Sequence, residues 1–82
     1  MATTAYEIAA ADGWVEVAPD AVDFMLEPSN RAVYVTFADA PPPVDAAYHI
    51  ISRREILVRS GAGAVYVRNP NATATAIVVV TA

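Results

Sequence analysis

Apolar and polar residues alternate along most of this chain in short runs, and Gly, Pro, Asn and Asp divide the runs. Period-two alternation bounded by turn formers predicts half-buried β-strands. The pattern marks eight: Ala5 to Ile8, Trp14 to Val17, Phe24 to Glu27, Ala32 to Phe37, Tyr48 to Ile51, Glu55 to Arg59, Ala64 to Arg68 and Thr73 to Thr81. Asp12-Gly13 between the first two is a hairpin signal. In the fourth, Val33, Val35 and Phe37 share one face while Ala32, Tyr34 and Thr36 share the other. The centre of the last strand, Ile77 to Val80, is apolar on both faces. That suits a central strand or one meeting a neighbouring subunit. As an open edge it would invite aggregation, so it is expected to be covered.

One pattern occurs twice, in residues 23–38 and 55–70. Asp23 and Glu55 each precede three apolar residues and a charge, and Ala32-Val33-Tyr34-Val35 returns thirty-two positions later as Ala64-Val65-Tyr66-Val67. A turn divides each copy, Pro28-Ser29-Asn30-Arg31 in the first and Ser60-Gly61-Ala62-Gly63 in the second. Each copy therefore reads as a β-hairpin. Two copies are too few for a solenoid, so the hairpins are expected to pack face to face. Between them, residues 38–45 carry Pro41-Pro42-Pro43, which cannot donate to a ladder and favours an extended, stiff segment. It reads as a rigid crossover between the halves. With no convincing helical stretch, the prediction is an all-β fold in a single domain over residues 1–82. It is a small antiparallel β-sandwich or jelly-roll-like barrel with two similar hairpins.

Composition narrows the function classes. The chain has 82 residues, no cysteine, and an apolar fraction of 56% that contains much alanine. Without disulfides or thiolate metal sites, so small a domain gains stability by associating with itself or with a larger partner. A net charge of −4 disfavours a nucleic-acid binder, which needs a basic surface. No stretch approaches the length of a membrane span, and Met1-Ala2-Thr3-Thr4 lacks the pattern of a signal peptide. The charge is unevenly placed, −7 over residues 1–45 and +3 over 46–82, and every base is arginine. Arginine is favoured at protein interfaces because its planar fork pairs bidentately with carboxylates. The plainer account is that the two halves interleave and neutralise each other.

No constellation points to catalysis, metal or cofactor. His49 is the sole histidine and reads as a packed or rim residue. The carboxylates are dispersed, with Asp12, Asp20, Asp39 and Asp45 at turns where Asp caps backbone. Gly61-Ala62-Gly63 precedes no helix and makes no phosphate loop. Asn71-Ala72-Thr73 matches a glycosylation acceptor only in form. Among the aromatics, Tyr34 and Tyr66 hold equivalent places on the face opposite the valines, so they are expected to point outward together. Outward tyrosines with Arg53, Arg54, Arg59 and Arg68 make a candidate protein–protein interface. Trp14 with Tyr6, Tyr34, Tyr48 and Tyr66 could instead form a stacking platform for a sugar.

The Ala/Val-rich runs, Trp14 after its turn, the segment His49-Ile50-Ile51-Ser52-Arg53-Arg54-Glu55-Ile56-Leu57 and the strand Val65-Tyr66-Val67-Arg68 together resemble a loose group of small bacteriophage virion proteins. These are β-rich chains of the capsid-decoration (cement) or head-fibre type. The resemblance implies a non-enzymatic protein made in the host cytoplasm. It would be bound in many copies to the major capsid protein on the outside of the shell, often as trimers. It assigns no residue a role. The rival expectations are a stand-alone carbohydrate- or ligand-binding β-sandwich and a tail or baseplate component.

Overall fold

The computed structural model describes residues 2–19, 23–59 and 63–82. The expected break at Asp20 and the turn Ser60-Gly61-Ala62 lie outside these described residues. Eight strands are present among them: β1 (Thr3–Ile8), β2 (Val15–Ala18), β3 (Phe24–Pro28), β4 (Val33–Ala38), β5 (His49–Ile51), β6 (Leu57–Arg59), β7 (Ala64–Arg68) and β8 (Ala76–Thr81). They form two four-stranded antiparallel sheets, ordered β1-β8-β3-β6 and β2-β7-β4-β5. The pairs β1·β8, β2·β7, β3·β6 and β4·β5 are nested, as in one long hairpin, and β3·β8 and β4·β7 complete the sheets. A long hairpin whose arms change sheet at each step is a jelly roll, the second of the two expected forms of this all-β fold.

Alternation makes the core. Phe24 and Leu26, Val33 and Val35, Val65 and Val67, and Ala76, Val78 and Val80 all point between the sheets and are buried. Full burial of each larger aliphatic side chain contributes about 1.5–3 kcal/mol. β8 lies between β1 and β3, so the both-sided apolar strand has a paired neighbour at each edge, as expected. Three of the four outer strands are blunted by ordinary means. A register shift interrupts β2 between Glu16 and Ala18, and β5 and β6 are only three residues long.

The connections differ from expectation in three places. The arms of each repeat do not pair as a hairpin: β3 and β6 lie in one sheet, β4 and β7 in the other. The two copies pair side by side instead of packing face to face, and each bridges both layers. Along β4·β7 the repeat is structural, since Val35 lies opposite its own equivalent, Val67. Along β3·β6 it is out of phase: Leu26 is buried, whereas Val58, thirty-two residues on, is 66% exposed. Three consecutive apolar residues allow either face to turn inward. Asp12-Gly13 likewise makes no hairpin, because Ala10–Asp12 is a 3-10 turn and β1 and β2 belong to different sheets. The proline-rich segment is the tip of the long hairpin, since the strands it joins, β4 and β5, are neighbours in one sheet.

Candidate functional site

The two broad faces of the sandwich are finished differently. On the β2-β7-β4-β5 sheet the proline-rich segment folds back over the outer surface as a strap. Proline leaves its carbonyls free to accept, and outer-face side chains use the carbonyls of this stretch. The Trp14 indole donates to the Pro43 carbonyl at 3.1 Å, Arg68 Nη1 to Val44 at 3.0 Å and Thr36 Oγ1 to Ala47 at 2.9 Å. Tyr66 lies among these anchors, opposite Thr36, and is 4% exposed. Its hydroxyl donates to Glu16 at 3.3 Å. Burial, then the Glu16 charge and this hydrogen bond, raise its pKa above the ordinary value.

Tyr34 is half-buried and stacks on Tyr48, with ring centroids 3.9 Å apart and 16° between planes. A hydrogen bond with Tyr34 foremost, then the charge of Tyr34 and burial, raise the Tyr48 pKa, and Arg68 opposes the rise. Tyr34 and Tyr66 do share the outer face. Tyr34 stacks on a neighbouring ring and Tyr66 is enclosed, with little of its surface reaching solvent.

The outer face of the β1-β8-β3-β6 sheet carries no strap among the described residues. Register brings Ala5 beside Val79 and Met25 beside Val58, with Ile56 two residues back along the chain from Val58. Met25, Ile56 and Val58 are exposed, and Ile77 and Val79 are half-buried between them and β1. Polar residues interrupt this apolar strip: Thr3 and Thr81 share a 2.7 Å hydroxyl contact beside Met25, Glu27 lies opposite Val79, and Glu7 lies opposite Ile77. Sequence reasoning missed this surface. Its signal was present in Phe24-Met25-Leu26 and Ile56-Leu57-Val58, where three apolar residues in a row must leave at least one facing outward.

The four candidate arginines are not gathered on one patch of contacts. Arg54 Nε lies 3.4 Å from Glu27 Oε2, beside the bare face. Arg59 lies over the Phe37 ring, 4.2 Å from its centroid, and Arg68 anchors the strap. Arg53 is exposed and has no side-chain partner among the described residues. Arg54 has φ 69°, a left-handed conformation that turns usually give to Gly or Asn. Its amide donates to Pro28 at 2.8 Å, and Glu55 closes the turn by donating to Ser52 at 3.0 Å. His49 lines a cleft between β5 and β6. Among the described residues no group of three or more His, Asp or Glu could hold a metal ion, and no helix is long and apolar enough to cross a membrane.

No family model matches the chain, and no curated protein or solved structure matches it either.

Proposed function

We propose that this chain is a non-enzymatic assembly protein, a decoration or cement protein of a virion, bound in multiple copies to the outside of a protein shell through its bare sheet face. The observation that carries the reading is the asymmetry of the two faces. The chain lays its own strap over one sheet, where Val44, Tyr48 and Ile50 stay exposed, and among the described residues nothing is laid over Met25, Ile56 and Val58 on the other. Several large apolar side chains exposed on one face, with polar groups among them, fit protein–protein contact. The molecule measures 33 × 25 × 17 Å, so one broad face is about the size of an ~800 Å² footprint on a partner. Arg53, exposed and without a side-chain partner among the described residues, and Arg54, in a strained turn next to this face, would supply the charged rim. The jelly-roll order adds an analogy only, since that fold serves both capsid and lectin domains.

The test is whether the native protein sediments with a large particle, and at what ratio to the shell subunit. A near-integral ratio, lost on Arg53→Glu/Arg54→Glu, is the expected result. A few copies per particle would indicate a tail or fibre component. Recovery only as a free protein would overturn the reading and favour a ligand-binding sandwich.

A further inference from the structure

The jelly roll closes poorly on one side. At β5 and β6 each sheet ends in a three-residue strand, and between them a cleft of about 310 Å³ enters the sandwich. Its lining includes Val35, Phe37, Ile51 and Leu57, with His49 and Arg59 as the polar members. That volume falls at the lower end of the range of small-molecule sites, and a mostly apolar lining with few polar groups is their usual character.

The charge in the cleft selects the ligand class. Arg59 lies over the Phe37 ring, 4.2 Å from its centroid, a cation–π contact that uses none of its N–H groups as hydrogen-bond donors to oxygen. No carboxylate lies within ion-pair distance of it among the described residues, where the salt bridge joins Arg54 to Glu27. A planar fork with no carboxylate partner among the described residues, at the mouth of an apolar cleft, is complementary to a carboxylate carried on a short apolar body. We propose that this cleft binds a small amphipathic carboxylate, its apolar part against Val35, Ile51 and Leu57 and its carboxylate on Arg59.

The experiment is an NMR titration of isotope-labelled protein with sodium octanoate below its micellar concentration, with octanol and octylamine in parallel. Octanoate is expected to saturate and to shift Val35, Ile51 and Leu57. Arg59→Gln, a surface change, should weaken octanoate about tenfold and leave octanol unchanged. Arg53→Gln, which removes an equal charge outside the cleft, should alter neither. Leu57→Trp, checked for a native thermal transition, should abolish binding by filling the space. The proposal is overturned if octanoate gives no saturable shift in the cleft, if its shifts fall on Met25 and Val58, or if Arg59→Gln binds it as tightly as the native chain.

Discussion

Asn69 shows how much of the fold can depend on one polar side chain. It is 1% exposed, the sole buried polar or charged residue among those described. Its amide nitrogen donates to Ile8 at 2.9 Å and to Ala74 at 2.7 Å, while its oxygen accepts from the Asn71 amide at 2.9 Å. The end of β1 is thereby tied to the loop between β7 and β8. Asn69→Ala removes the partner of three backbone groups, one in a buried bond and two in part-buried ones, so urea unfolding should show a loss of about 2–4 kcal/mol. A loss below ~0.5 kcal/mol would mean that solvent replaces these bonds. Tyr66 makes a pH-dependent contribution. Its folded pKa is raised, chiefly by burial and then by Glu16. Below its unfolded pKa, about 10, the phenol is neutral in both states and the contribution is complete. Above that value the unfolded chain releases its proton more readily than the folded one, so stability is lost as pH rises through the folded pKa. Melting temperature should fall across this alkaline window, and Tyr66→Phe should flatten the fall in part, because Tyr48 is raised in the same sense. An unchanged slope in Tyr66→Phe would remove Tyr66 as a cause.

Strands were legible in the sequence because their signal is local. Alternation of Val33, Val35 and Phe37 against Tyr34 and Thr36 reports a face with no knowledge of the partner. The pairing was not legible, because the jelly roll joins strands far apart in sequence. β1 meets β8 and β2 meets β7, whereas Asp12-Gly13 and Pro28-Ser29-Asn30-Arg31 signal only that the chain turns. Whether a turn closes a hairpin or carries the chain to the opposite sheet depends on where the next strand finds its ladder. The same limit explains Tyr66: alternation placed it on the outer face, and local pattern does not specify that it is buried there, on the sheet whose outer face the strap crosses. Arg54 is the reverse case. Its positive φ marks a residue held in an unfavourable conformation, and nothing in Ser52-Arg53-Arg54-Glu55 announces that.

At the scale of the whole molecule, consecutive residues of one strand divide into those that hold the fold and those that make its surface. Leu26 is fully buried and Met25, its neighbour in β3, is 47% exposed. Across the ladder Leu57 faces Leu26 and Val58 faces Met25, so the division continues through β6. Truncating Leu26 to Ala should cost about 2–5 kcal/mol, because the tightly packed interior only partly closes over the cavity. Met25→Glu and Val58→Glu together give up little apolar burial, and their expected cost is within about 1 kcal/mol. Their consequence should appear in association. Two carboxylates placed in the apolar strip would be desolvated without a partner on docking, which disfavours the contact by several kcal/mol per charge unless they stay wet. The double variant is therefore expected to melt close to the native chain and to fail to co-sediment with a shell, while Leu26→Ala melts early and, where still folded, binds normally. If Met25→Glu/Val58→Glu bound as the native chain does, the bare sheet would not be the docking face. The strapped sheet, with Tyr48 and Ile50 exposed along its edge, would then be the surface to change next.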